Sequence, residues 1–155
     1  MARAVGAATS ELSDFYGHLL SRDAFTNDRV WPYPQCDELG VAGIIVNSNG
    51  ERFADETERM VFELARQPDG LGYILFDAAV AAKYTAWPHF VSTAPGIAFA
   101  YLQDYERTRR DLFRRGKTLD EVAAMLGMDA ALLKQSVERY NAGERGQRPA
   151  VGAGP

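Results

Sequence analysis

Asn49-Gly50, set between the apolar run Ile44-Ile45-Val46 and the residues Glu51-Arg52-Phe53-Ala54, narrows the fold of this chain more than any other feature. Both central residues of a two-residue hairpin turn need positive φ, and Asn-Gly is the pair that adopts it most readily. A tight turn predicts a hairpin over 43–54 in which Ser48 faces Glu51, Asn47 faces Arg52 and Val46 faces Phe53. Ile44, Val46 and Phe53 then share one apolar face. Next come Asp55, Glu56 and Thr57, good N-cap and first-turn residues, followed by Met60, Val61 and Leu64 at helical spacing. The expected order is hairpin, then helix start. Residues Asp55 to Arg59 at that start would offer unpaired N–H groups to an anion.

The remaining elements follow from local signals. Residues 2–9 read as the end of a helix, 15–20 ("FYGHLL") as a buried strand, and 23–42 as a long loop marked by "WPYPQ". After Pro68-Asp69-Gly70, "LGYILFD" reads as a short strand and "AAVAAKY" as a short helix; "TAWPHFVSTAPGIAFAY" has no regular assignment. "DYERTRRDLFRRG" predicts a helix closed by Gly116. Thr118 and Glu121 form a capping box for a second helix that Gly127 stops. Asp129 opens a third, burying Leu132, Leu133, Val137 and Tyr140. The fold class is therefore α+β: a small mixed sheet with a β-hairpin, joined by segments near 15–20 and 71–76, covered by helices and followed by a C-terminal helical hairpin. Residues 1–143 form one domain. Residues 144–155, rich in Gly, Pro and Arg without apolar periodicity, form a loose tail.

Composition removes several functions. With 17 Lys and Arg against 21 Asp and Glu, the net charge of −4 leaves no electrostatic footprint for nucleic acid or an anionic membrane surface. One cysteine, Cys36, excludes an internal disulfide framework and a cysteine zinc site, so no metal is expected. No apolar run approaches the roughly 20 residues of a membrane span, and the first ten residues lack the apolar core of a signal peptide. Cytoplasmic is the expected location.

Three stretches in order, "GIIVNSNGERFADE", "GYILFD" and "TLDEVAAMLGMDAALLKQSVERYNAG", resemble the substrate-capping region of the FAD-dependent fumarate reductase and succinate dehydrogenase flavoproteins. That family includes ketosteroid dehydrogenases. The resemblance implies a hydride-transfer site for a small carboxylate or enone-type substrate, with FAD as cofactor. It also implies that the chain is a fragment or a truncated gene product. The Rossmann-type segment with G-x-G-x-x-G that would hold the FAD pyrophosphate is missing, so an FAD-binding domain of the full-length protein is the expected partner. The opening "MARAVGA" looks like the helix that follows a flavin-contacting turn in such proteins.

The resemblance also suggests roles for particular residues. His18 corresponds to a strand histidine that binds a substrate carboxylate, and Glu38 partly to a proton-relaying acid. Arg59 lies one residue short of the position of a proton-donating arginine, a shift of about 100° around a helix. Asn47, Gly50, Arg52, Phe53 and Glu56 match the family motif as structural residues near the flavin. Each has a plainer reading. His18 reads equally as a half-buried histidine bonded to backbone, Arg59 as a solvated partner of Glu63, and Arg107, Arg109, Arg110, Arg114 and Arg115 as a solvated helix face. Two other functional classes stay open: a helix-turn-helix regulator using 118–140, whose second helix has only Lys134 and Arg139 to meet DNA, and a flavin-free interaction domain.

Overall fold

The computed structural model describes residues 2–6, 8, 17–24, 26–27, 35–58, 60–91 and 100–144. Strands β1 (Ile44–Val46) and β2 (Tyr73–Leu75) pair antiparallel, with Ile45 opposite Ile74. Among the described residues this pair is the whole sheet, and it is antiparallel. The helices are α1 (Asp37–Ala42), α2 (Met60–Ala65), α3 (Ala78–Lys83), α4 (Leu102–Thr108), α5 (Leu119–Leu126) and α6 (Ala130–Asn141). The fold class is α+β, as the sequence predicts.

β1 is the pivot of the core. All three of its residues are buried, because each face of the strand is covered. Ile44 and Val46 point toward Ala123, Met128 and Leu133 of the α5–α6 hairpin. Ile45 points the other way, toward Leu19, Ala54 and Met60. An apolar run without alternation is what a strand buried on both sides requires. The close approach of β2 also explains Gly43, since a Cβ there would lie 2.4 Å from the Leu75 carbonyl oxygen. A third cluster, with Leu39, Tyr84, Val91, Leu102 and Tyr105, joins α1, α4 and the turn after α3.

The capping signals of the C-terminal helices are realised. Thr118 Oγ1 accepts from Glu121 N at 3.2 Å, and Asp129 Oδ1 accepts from Ala131 N at 2.8 Å and Leu132 N at 3.1 Å. Gly127 closes α5 in the left-handed region. Asp77 likewise caps α3.

Several expectations change. The hairpin turn has three residues, not two: Asn47 N donates to Glu51 O at 2.9 Å, and Val46 bridges Arg52 rather than Phe53. Gly50, at φ +92°, supplies the left-handed residue such a turn needs. This one-residue slip puts Phe53 on the Ile45 face instead of the Val46 face. Residues 17–20 add no strand to the sheet; Leu20 makes a single bridge to Gln35, while 15 and 16 lie outside the described residues. Part of the long 23–42 loop is α1, whose Leu39 side is buried. The helix expected from Asp104 to Gly116 ends at Thr108, because Arg109 turns inward and Leu112 and Phe113 pack on the third cluster. Residues 2–5 form a 3₁₀ turn. The tail from 145 lies outside the described residues.

Candidate functional site

The "NSNGERFADE" motif folds into a knot of polar side chains. Asn47 Oδ1 accepts from Asn49 N at 3.0 Å and Glu51 N at 3.1 Å, which fixes the turn. Glu56, only 3% exposed, reaches back under the turn and accepts from Ile45 N at 3.0 Å and Arg52 Nε at 2.9 Å; Arg52 Nη2 also donates to it. This pairing, by hydrogen bond first, holds the Arg52 guanidinium above its ordinary pKa. Arg52 continues to Glu144 O at 2.5 Å, and its guanidinium carbon lies 5.0 Å from the Tyr140 ring centroid. Ser136, buried in α6, ties the knot to the helix: its hydroxyl donates to Gly50 O at 2.9 Å and accepts from Arg52 N at 2.9 Å. A Cβ on Gly50 would sit 3.2 Å from Asp129 O and Leu133 Cβ, so the turn rests directly on α6.

Asn47, Gly50, Arg52 and Glu56 thus come together, with Phe53 beside them in the core against Gly72. Their shared work is to lock the hairpin onto α6. The chain does not enter a helix at Asp55. Instead Asp55 Oδ1 accepts from Thr57 N at 3.0 Å and Thr57 Oγ1 at 2.6 Å, Glu58 N donates to Asp55 O, and α2 begins at Met60. The expected helix start over Asp55 to Arg59 is therefore a side-chain-capped turn as far as Glu58. Arg59 lies outside the described residues, as do residues 28–34 of the aromatic loop.

A second grouping forms where 18–20 meets 35–37. Cys36 N donates to Leu19 O at 2.8 Å. Asp37, the first residue of α1, accepts from Leu19 N at 2.8 Å through Oδ1 and lies 2.7 Å from His18 Nδ1 through Oδ2. The His18 and Asp37 side chains are 32% and 34% exposed, so both face the protein and water. Glu38 follows with an exposed side chain, while its backbone oxygen accepts from Tyr84 Oη at 2.9 Å. The two groupings adjoin through the core, because Leu19 packs in the cluster of Ile45, whose N–H is held by Glu56. His89 is exposed, its ring 5.8 Å from that of Tyr84.

Arg109 departs furthest from its expected place. Its side chain is 7% exposed and bonded to Asp23 Oδ2 at 2.7 Å and Asp111 at 3.3 Å, rather than lying on a solvated face. Burial opposes the charge on Arg109, and the two acids outweigh it and raise its pKa. Asp23 is likewise pushed up by burial but held below its ordinary value by Arg109 and Asn27 together. Tyr140 is exposed instead of buried. The half-buried Cys36 thiol is pushed up to about 12, mainly by burial and then by Asp37, which suits a core filler and not a nucleophile. Sequence reasoning passed over Ser136 and Asp37. Ser136 had a signal, a hydroxyl three residues beyond Leu133 on an apolar helix face.

The described residues do not fit the pyrophosphate of FAD. β1 runs into the hairpin turn and not into a helix, β2 leads to Asp77, whose carboxylate already takes Val80 N, and the concavity at Gly50 is filled by Leu133. Among the described residues, no group of three or more His, Cys, Asp or Glu is placed to hold a metal ion, and no helix is long and apolar enough to cross a membrane. The basic residues of α6 are committed to acids, Lys134 to Asp120 at 2.7 Å and Arg139 to Glu144 at 2.6 Å. Both pairs are solvent-exposed, and with these two basic residues alone α6 offers little positive charge to a phosphate backbone.

Comparison with known proteins places the chain beside dehydrogenases. It is 29% identical over 144 residues to the 4-oxocyclohex-2-ene-1-carboxylate 5-dehydrogenase of Sinomonas cyclohexanicum, covering 84% of this chain and 22% of that protein. It is 28% identical over 130 residues to the 3-oxo-5-alpha-steroid 4-dehydrogenase of Comamonas testosteroni, covering 78% of this chain and 23% of that protein. The chain thus spans less than a quarter of the length of these curated relatives. No family model matches it, and no solved structure does.

Proposed function

We propose that this chain is the substrate-capping part of an FAD-dependent oxidoreductase of the fumarate reductase-like kind, serving a hydride-transfer site for a small carboxylate or enone-type substrate. The observation that carries the reading is the similarity, along most of this chain, to short stretches of two dehydrogenases whose names both specify a ring bearing an oxo group. Because the described residues do not fit the flavin pyrophosphate, the cofactor belongs to another segment of a longer protein. Within such a protein the Arg52–Glu56 knot would hold the hairpin rigidly on α6. The edge carrying His18 and Glu38, together with Arg59, would face the substrate.

A graft tests this. Residues 1–144 replace the matched stretch of the Sinomonas dehydrogenase, and the product is assayed for flavin absorbance and for dehydrogenation of 4-oxocyclohex-2-ene-1-carboxylate. The expected result is retained flavin with measurable turnover that falls on His18→Ala or Arg59→Ala. A folded, flavin-loaded graft without turnover overturns the proposal.

A further inference from the structure

We propose that the loop from Tyr84 to Val91 displays a binding platform for an apolar ring bearing an oxo group, with the Trp87 indole and its neighbour Phe90 against the ring and His89 at the oxygen. The proposal deepens the capping reading and rests on it for the identity of that ring as the substrate.

Trp87 is 70% exposed, although an indole is among the side chains that gain most from burial. The loop that carries it is pinned at both ends. At its start Tyr84 is buried, the Tyr84 carbonyl accepts from Leu102 N at 3.0 Å, and the Thr85 carbonyl accepts from Gln103 Nε2 at 2.9 Å. At its end Val91 is buried and donates its N–H to Ala100 O at 2.7 Å. Between them His89 N donates to Ala86 O at 3.2 Å, which turns the tip. The half-buried Phe90 ring stacks beside the indole, with centroids 6.2 Å apart and planes 17° from parallel. A fixed loop that keeps an indole in water is suited to present it to a ligand.

The size of the face selects the occupant. Two rings, with exposed Ala86 and His89 in the same turn, fall far below the roughly 800 Å² per partner of a stable protein interface. The exposed Val41, Met125 and Tyr140 stand on other elements, α1, α5 and α6. A nucleobase would also stack on such a face, but the net charge of −4 is wrong for the backbone that carries it. A small apolar ring fits. His89 adds the polar contact, because a neutral imidazole carries one ring N–H in either tautomer and an oxo oxygen accepts it. The His89 ring lies 5.8 Å from that of Tyr84, whose hydroxyl donates to Glu38 O at 2.9 Å. Tyr84 thus joins the platform to the α1 edge that carries Glu38, the edge proposed to face the substrate.

The chain has two tryptophans, Trp31 and Trp87, so nitrogen–proton NMR of the labelled full chain shows two indole signals, which Trp87→Phe assigns. Titration with cyclohex-2-en-1-one is expected to shift the Trp87 signal saturably. In Trp87→Ala the affinity, read on the His89 ring, falls about fivefold or more, and less in Trp87→Phe, which keeps an aromatic face. His89→Ala, read on Trp87, weakens the enone about fivefold and leaves the hydrocarbon cyclohexene unaffected. A shift that never saturates, unchanged affinity in Trp87→Ala, cyclohexene bound as tightly as the enone, or a Trp87 signal that moves on dilution of the chain alone, which assigns the face to a second copy, overturns the proposal. In the graft onto the Sinomonas dehydrogenase, Trp87→Ala is expected to raise KM for 4-oxocyclohex-2-ene-1-carboxylate about fivefold. An unmoved KM in a graft that turns over overturns the platform and leaves the capping reading standing. Failure of the capping reading shows separately, as a flavin-loaded graft without turnover.

Discussion

Removing Glu56 should damage the fold more than removing any exposed acid, and the structure sets the size of the effect. Glu56 is 3% exposed and the Arg52 side chain 10%, so the pair lies almost wholly out of water. In Glu56→Ala the guanidinium keeps Glu144 O and the Tyr140 ring but loses its counter-charge, and Ile45 N–H loses its acceptor inside the core. Breaking a buried pair from one side costs about 3–5 kcal/mol. Glu56→Gln retains the volume and an acceptor for Ile45, and should cost about 1.5–3 kcal/mol, the range for hydrogen bonds to charged groups. With a urea slope of about 2 kcal/mol per molar, the alanine variant moves the unfolding midpoint down by about 1.5–2.5 M. The double variant Arg52→Met, Glu56→Gln leaves no buried charge and should lose less than the two single changes added together. The assay is urea unfolding of the full chain followed by circular dichroism. A midpoint shift below about 0.5 M for Glu56→Ala, or strict additivity in the double variant, refutes the knot as a stabilising unit.

Three further outcomes are expected. Gly50→Ala forces a side chain to φ +92° within 3.2 Å of α6 and should cost about 1–3 kcal/mol, read as a drop in Tm, whereas a neutral effect would mean the turn can rearrange. Asp111, through its bond to Arg109, and Asp23, where Arg109 and Asn27 outweigh burial, both titrate below 3.8 in the folded chain. Folding therefore binds fewer protons than unfolding, and the stability these acids contribute is full above the ordinary carboxylate range and lost as pH falls below it; Asp23→Asn should flatten the acid limb of a stability-against-pH curve. Cys36, its thiol pushed up to about 12, should react with iodoacetamide at mildly alkaline pH at least about 100-fold more slowly in the native chain than in urea, and equal rates would place it on an open surface.

The knot and the His18–Asp37 pair differ in what they ask of the chain. The first is largely buried, closed by its own hydrogen bonds and suited to rigidity. The second is about one-third exposed, at the edge between protein and water. A motif that resembles a family's flavin-proximal signature thus supplies architecture among the described residues, locking the hairpin onto α6.

The sequence by itself determined the elements whose signals are local. Thr118, Gly127 and Asp129 start and stop α5 and α6 through bonds that span at most a few residues, Asp77 does the same for α3, and the apolar runs at 44–46 and 73–75 became the two strands. The α+β class followed from these. Tertiary structure alone decided what depends on which faces meet. Asn-Gly signals a turn, yet the loop length and register were settled by docking the turn on α6, where Ser136, 86 residues from Gly50, fills its hydrogen-bonding needs. Arg109 looks like one arginine among several until Asp23, 86 residues earlier, draws it inside. α1 has weak helix formers in Gly40 and Val41 and is held by burying Leu39. His18 meets Asp37, 19 residues further along the chain, only once the two segments have folded together. Short-range signals act through backbone geometry and are legible in order along the chain. The partner of a buried charge is chosen by the cost of leaving that charge alone in the interior, and this cost exists only once the interior has formed.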